Sequence, residues 1–562
     1  MRHLPILLLL LPLVACQRAE NSSETRAATG APETASFSDK DVFLFETLGK
    51  LSWPISTSNP QTQQWFDQGL RLTYGFNHEA AGRSFAEAAR LDPACGICYW
   101  GQALALGPNI NQPMLPEAVD PAFEMSRKAL ALVAGAAPSE QALIEALALR
   151  YERTQPEDRS VLDHAYADAM RKVVERFPDH DHAATLLAES LMDLSPWSYW
   201  DDNGQAAEYT EELLGKLESV LARTPDHIGA MHLYIHATEA SPNPQRAEPY
   251  ADRIAALSPG SGHLVHMPAH TYIRIGRYHD ATLINFKATD ADIAFLGICG
   301  GSNGIYPLGY VPHNWHFTVM TAGLEGAAGM ARLAAKQAAS RADHAQLEAL
   351  SFMQQFVVAP LLNSVRFAEW DAILGQAEPP AALPYPTAIW HYARGRALLA
   401  KGALDLAGLE LEALEMLAQD SRLEEAVLWE INPASDVISV AVHSLRGELF
   451  RGRGDLDAAI QEFFAGVAAE DRLNYNEPPD WLLPVRLQLG AAQLDAARYA
   501  EAEASFSGDL DIFPENGWSL FGLELALRAQ DRSAEAEQVH ERFEQAWQWS
   551  DFDLAEARSM PD

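Results

Sequence analysis

Basic residues are scarce in this sequence, since 41 Lys and Arg stand against 77 Asp and Glu and give a net charge of −36. We therefore expect no nucleic-acid partner, because neutralising phosphates requires clustered Lys and Arg. The sequence also lacks a phosphate-cradling glycine loop, a nucleotide fingerprint, a nucleophile elbow and the HExxH zinc-protease string. These absences predict that no nucleotide cofactor is bound.

Patterns typical of β-strands are missing as well. Past residue 40 no alternating runs rich in Val and Ile appear, and Ala, Leu, Glu and Arg dominate segments that end at Pro or Gly. The chain of 562 residues is also too long for a single hydrophobic core. We expect an all-α protein built as several domains or as one extended repeat array.

The N-terminus carries an apolar run from Leu4 to Val14, preceded by Arg2. The run is too short to span a bilayer as a permanent helix, so residues 1–15 are predicted to be an export signal. The string LVAC at 13–16 resembles the bacterial lipobox. This resemblance implies cleavage before Cys16 and acylation of that cysteine, and a plain signal peptide is the alternative.

Residues 16–40 are small and polar and have nothing to bury, which is typical of a flexible tether. Gln17 follows the cysteine where an Asp would indicate retention in the inner membrane. We expect an outer-membrane lipoprotein in the cell envelope, facing the periplasm and attached to the membrane through its N-terminal lipid.

Cys95 and Cys98 form the motif CGIC, and an exported protein enters an oxidising compartment. A disulfide between them is one interpretation, and free or metal-binding thiols are the other. Tyr99 stands where covalent haem attachment requires a histidine. We therefore predict that no haem is bound.

Internal repeats indicate the architecture. Segment 65–93 places the small residues Gly69, Ala81 and Ala88 where two helices would approach each other, and related strings recur at 273–281, 451–463 and 494–506. The pattern resembles the tetratricopeptide repeat (TPR) family over most of residues 60–550. This resemblance implies an α-solenoid with irregular insertions, in which stacked helix pairs form a concave binding surface.

Further strings refine this organisation. The proline-rich segment 377–386 is the preferred boundary between an N-terminal array at 41–376 and a C-terminal array at 387–562. The motifs HMPxH at 266–270 and YxPHNxHF at 310–317 narrow the resemblance to a group of exported bacterial TPR proteins. That narrower resemblance implies a fold and carries no activity with it. The string NEPPDWLLPVR at 476–486 is interpreted as a connector between repeats, with functional roles for Glu477, Trp481 and Arg486 as the alternative.

Nine of the 18 histidines lie between His227 and His316. His232 and His236 are four residues apart, and His266 and His270 repeat this spacing 34 residues later, which is one TPR length. Equivalent positions of adjacent repeats lie side by side, so the two pairs should be neighbours. A second spacing of 50 residues relates two more pairs, His263 with His313 and His266 with His316.

Imidazoles that converge on one groove suit a transition metal, and we expect zinc, copper or iron. The seven predicted ligands are His232, His236, His263, His266, His270, His313 and His316. Glu189 and Glu239 are candidates for an outer-shell carboxylate or a general base. Pro268 complicates this interpretation, because a helix that starts there would leave His263 and His266 in the preceding loop.

Two functions are compatible with this pattern. The first is a metal site in the groove, serving either a metal-dependent enzyme or metal handling. The second is a non-enzymatic adaptor that binds a peptide or an envelope protein, with the histidines as polar contacts. Seven aromatic residues either wall a pocket or belong to the core: Trp100, Trp197, Tyr199, Trp200, Tyr306, Tyr310 and Trp315.

Overall fold

The structure is a computed structural model that describes residues 42–201, 203–299, 304–343 and 345–554. The export signal, Cys16 and the tether lie outside this part of the chain. Within it, no helix is both long and apolar enough to cross a membrane.

Helices make up nearly all of the regular structure, which confirms the all-α prediction. The first half comprises α1 (Pro60–Tyr74), α2 (His78–Leu91), α3 (Gly96–Ala105), α4 (Val119–Ala131), α5 (Pro138–Leu147), α6 (Ser160–Arg176), α7 (Asp181–Met192), α8 (Thr210–Arg223), α9 (Ile228–Glu239), α10 (Glu248–Leu257), α11 (Gly262–His266), α12 (Pro268–Arg274) and α13 (Tyr278–Cys299).

The second half comprises α14 (Val311–Leu324), α15 (Ala328–Arg341), α16 (Gln354–Arg366), α17 (Trp370–Leu374), α18 (Pro384–Ala400), α19 (Leu404–Leu417), α20 (Arg422–Glu425), α21 (Ala434–Gly452), α22 (Leu456–Glu470), α23 (Val485–Asp495), α24 (Tyr499–Ile512), α25 (Gly517–Ala529) and α26 (Ser533–Ala546). A short antiparallel hairpin of β1 (Val427–Leu428) and β2 (Asn432–Pro433) follows α20. Consecutive helices pack on each other in pairs, so the fold is a TPR-like solenoid with irregular insertions.

Glycine allows the closest helix approach at the first repeat. A Cβ atom added to Gly69 in α1 would lie 2.6 Å from the ring of Phe85 in α2, and one added to Gly101 in α3 would lie 2.5 Å from it. Phe85 therefore fills the space that two glycines leave open, one on each neighbouring helix. The sequence prediction that Gly69 marks a helix contact is confirmed.

We expect Gly101→Ala to lower the free energy of unfolding by about 1–3 kcal/mol, because the new methyl group would overlap Phe85 in a packed core. Gly215→Ala in α8 is the matched control, since nothing lies within 4 Å of its Cβ position. Alanine there should stabilise the helix by about 0.5–1 kcal/mol. Urea unfolding followed by circular dichroism measures both changes. An unchanged free energy of unfolding in Gly101→Ala would contradict the close approach.

The array closes on itself around its middle repeats. At the N-terminal side, His232 in α9 contacts the backbone carbonyl of Tyr74 in α1. At the C-terminal side, the indole Nε1 of Trp518 in α25 donates to the carbonyl of Gly323 in α14 at 2.8 Å. Both ends of the solenoid therefore pack against α9 to α14, where the predicted histidines lie.

The proline-rich segment 377–386 spans the connection from α17 into the first turn of α18. Buried apolar residues on both sides of it, such as Phe356 and Ile389, belong to one continuous core. The boundary between two arrays at this segment remains a prediction.

Candidate metal centre

Four helices bring histidines to one place. His232 and His236 share a face of α9 because they are four residues apart. Three more histidines, His263, His266 and His270, come from α11 and α12, and His313 comes from α14.

Pro268 begins α12, where its missing N–H is tolerated. Met267, which joins the two helices, keeps helical backbone angles of φ −49° and ψ −35°. The helical direction therefore continues from α11 into α12. The alternative that His263 and His266 lie in a loop is wrong, because both are in α11.

His232, His236 and His263 form the first group of ligand atoms that lie within 4.8 Å of one another. Nδ1 of His232 lies 2.7 Å from the carbonyl oxygen of Tyr74 and must donate to it, because a carbonyl only accepts. This leaves the Nε2 lone pair of His232 directed at Nε2 of His263, 3.0 Å away. Nε2 of His236 is buried and has no hydrogen-bond partner.

His266, His270 and His313 form the second group. Nδ1 of His266 lies 2.6 Å from Oδ1 of Asn285, whose amide nitrogen donates to the carbonyl of Ala281 at 2.9 Å. This second bond fixes the amide, so His266 donates through Nδ1. Its Nε2 then lies 2.9 Å from Nε2 of His270 and 3.2 Å from Nε2 of His313.

Two buried carboxylates hold the other side of the His270 ring. Nδ1 of His270 lies 2.6 Å from Oε2 of Glu239 and 3.1 Å from Oε2 of Glu477. Glu239 also accepts from Nδ1 of His236 through its other oxygen, at 3.2 Å. One carboxylate therefore links the two groups, whose rings at His236 and His270 have centroids 5.1 Å apart.

These arrangements suit metal coordination. Nitrogen atoms 2.0–2.1 Å from a tetrahedral zinc ion lie about 3.3 Å from one another, close to the spacings of 2.9 and 3.2 Å in the second group. A metal-bound histidine usually donates its other N–H to a carbonyl or carboxylate. Nδ1 is held by such an oxygen acceptor in His232, His236, His266 and His270.

Protonation follows from burial. Burial lowers the pKa of five histidines well below the ordinary value of 6.5, and for each of them neighbouring imidazoles lower it further: His232, His236, His263, His266 and His313. These rings are neutral at pH 7, as a metal requires. Burial would also lower the pKa of His270, but Glu239 and Glu477 raise it to about 10.

A cavity of about 900 Å³ opens onto both groups. His236 and His263 of the first group and His270 and His313 of the second lie in its wall, together with Glu477. This volume is typical of a small-molecule site. Any metal held by these histidines would therefore be accessible to a bound ligand.

Aromatic side chains flank the histidines in the cavity wall. Trp197 stands edge to face with His236 at 5.1 Å, and Trp429 with His313 at 5.8 Å. Both tryptophans have positive φ angles, 63° and 51°, in a region that residues with a side chain rarely adopt. Such strain is found where the surrounding structure fixes a functional side chain.

The structure separates the other predicted residues from the two groups. His316 is buried against Phe356, with ring centroids 5.6 Å apart. Glu189 lies in a buried network in which Arg150 pairs with Asp193 at 2.5 Å, and burial raises the pKa of Glu189 to about 8.

The remaining predicted features find other places. Cys95 and Cys98 form a disulfide. Of the seven aromatic residues considered as pocket walls, Trp197, Trp200 and Tyr310 line the cavity, and the other four belong to the core: Trp100, Tyr199, Tyr306 and Trp315. The 34-residue spacing paired His232 with His266. In the structure His232 instead lies against His263, which stands three residues before His266 in the same helix, α11.

Sequence reasoning missed Glu477 and Asn285. Glu477 was offered only as the alternative to a connector, and its string carries no histidine or repeat spacing that ties it to the groove. Asn285 gave no such signal, because an Asn one turn from Ala281 on a long helix is common.

Neither a family model nor a curated protein matches the chain. Solved structures with similar helix arrangements include human IFIT1 with m7Gppp-AAAA (12% identity, 87% of this chain and 90% of that chain, TM-score 0.29). The APC/C hetero-tetramer Cut9–Hcn1 gives 13% identity, 89% and 96% coverage and a TM-score of 0.28. Yeast Tom70 gives 11% identity, 89% and 94% coverage and a TM-score of 0.26. At these values the similarity carries no activity or partner over to this chain.

Proposed function

We propose that this protein is a metal-dependent enzyme that holds two transition-metal ions, one in each histidine group, at the floor of the cavity. The observation that carries the proposal is the orientation of the six imidazoles. Nε2 atoms face one another between His232 and His263 and between His266 and both His270 and His313. Carbonyl, amide and carboxylate oxygens hold Nδ1 in four of the six rings. An all-nitrogen donor set suits zinc, copper or iron.

The cavity favours catalysis over metal transport. A transport site must release its ion, whereas these rings are buried and fixed by outer partners on α1, α9 and α13. The cavity volume of about 900 Å³ is also far larger than a metal ion requires. Its size and its aromatic walls are those of a site that accepts an organic molecule.

We expect the purified full chain to contain two equivalents of transition metal per chain after growth with zinc, copper and iron. Elemental analysis after dialysis against metal-free buffer measures the stoichiometry. One equivalent would contradict the two-ion arrangement. A metal-free protein would contradict metal binding, and the groove would then be that of an adaptor with histidines as polar contacts to a peptide or envelope protein.

We also propose that the protein is anchored in the outer membrane through a lipid on Cys16. The support is the lipobox resemblance and the polar tether of the sequence. Cys16→Ala should abolish incorporation of labelled palmitate and leave the signal uncleaved, as seen on a denaturing gel. Unchanged labelling of the variant would show that the anchor assignment is wrong.

A further inference from the structure

The cavity wall contains an arginine whose buried Nε makes no hydrogen bond. Arg274 ends α12, four residues after His270, and lines the same cavity wall. Its Nε is buried and has no hydrogen-bond partner. A carboxylate that acts on its charge is that of Glu477, which is held by Nδ1 of His270. Its guanidinium carbon lies over the ring of Tyr475, 5.5 Å from the ring centroid.

Other arginines nearby are committed to carboxylates. Arg159, also in the cavity wall, pairs with Asp163 at 3.1 Å. Arg277, three residues beyond Arg274, pairs with three carboxylates at 2.7 to 2.9 Å. In a chain with 77 acidic residues, an arginine whose Nε makes no hydrogen bond beside a cavity is available to an anion from outside the protein.

The side chains of the cavity wall indicate what the rest of such a ligand would be. Trp197 and Trp429 present apolar ring surface beside His236 and His313. An apolar or aromatic group would pack on these rings, while a carboxylate would match the planar fork of a guanidinium. Arg274 lies one helical turn from His270. A ligand held by Arg274 would therefore reach the second histidine group.

We propose that the cavity binds an organic carboxylate with an aromatic or apolar body. Arg274 holds the carboxylate, and the body packs against Trp197 and Trp429 beside the two histidine groups. The proposal rests on the proposed function for the role of the metal, since it names the substrate class of the same site. The carboxylate contact itself involves only Arg274 and requires no metal.

Binding of phenylacetate to the purified full chain tests this assignment, with phenylacetamide as the uncharged ligand of the same shape. Isothermal titration calorimetry is performed on metal-loaded and on chelator-treated protein. We expect phenylacetate to bind at least 10-fold more tightly than phenylacetamide in both forms. Arg274→Gln should abolish this preference, and Arg274→Lys should retain part of it because the charge remains.

Arg253→Gln is the matched control. Arg253 is an exposed residue of α10, and it pairs with the exposed Asp226. The variant should leave phenylacetate binding unchanged. Equal binding of the two ligands, or no binding of phenylacetate at millimolar concentration, would overturn the proposal. Binding that requires metal and survives Arg274→Gln would also overturn it, because the carboxylate would then be a metal ligand. Binding that depends on Arg274 in a protein that takes up no metal would support the carboxylate site and contradict the enzyme proposal.

Discussion

The double variant His266→Ala/His313→Ala is expected to bind one metal ion fewer per chain and to keep the other. Both residues present Nε2 to the second group, and their removal leaves His270 as its remaining imidazole. Removing a residue that only hydrogen-bonds to a metal-ligating histidine typically costs 10–100-fold in metal affinity. Loss of two direct ligands should therefore weaken this site by more than about 100-fold, which elemental analysis and chelator competition would detect.

His316→Ala provides the control, because His316 lies on the same helix as His313 and is equally enclosed but contacts Phe356. It should retain two ions. The reciprocal variant His232→Ala/His263→Ala should lose the first ion and keep the second. If either double variant lost both ions, the two groups would not be independent sites.

The second large effect is a proton released when metal enters the second group. His270 donates through Nδ1 to carboxylates, and its Nε2 faces the lone pair of His266, so both ring nitrogens carry protons in the metal-free protein. Glu239 and Glu477 raise its pKa to about 10, against the effect of burial. Below that pH a metal must displace one proton, so apparent affinity should rise about 10-fold per pH unit from pH 7 towards 10.

The first group should behave differently. Burial lowers the pKa of His232, His236 and His263, so these rings are neutral already and their metal affinity should be flat above pH 7. Calorimetry in buffers of different ionisation enthalpy counts the protons released. Glu239→Gln/Glu477→Gln should remove the release, whereas a proton lost from metal-bound water would persist in that variant.

Local spacing predicted much of this architecture. Repeats of 34 residues bring equivalent positions together, and His236 does lie beside His270. The spacing of 50 residues paired His263 with His313 and His266 with His316, whereas in the structure His313 lies beside His266. His316 points away from His266, because residues three apart on a helix point about 60° apart, and α16 packs on that side through Phe356.

Long-range parts of the site could not be predicted in this way. Glu477 lies 207 residues from His270, and Tyr74 lies 158 residues from His232. Their positions depend on how the ends of the solenoid meet its middle, and a repeat pattern describes only contacts between neighbours. Glu189, a candidate outer-shell carboxylate, instead lies near the ion pair of Arg150 and Asp193.

Closure of the array also bears on how the chain reaches its native state. An open solenoid forms contacts between neighbouring repeats alone, so it can nucleate at any repeat and propagate. Here Trp518 must find Gly323 across 195 residues, and Glu477 must find His270 across 207. Contacts of such sequence separation slow folding. The pair of carboxylates that holds His270 is therefore completed only after the C-terminal repeats have been synthesised and docked. The proposed second metal site would be complete only late in the maturation of each molecule.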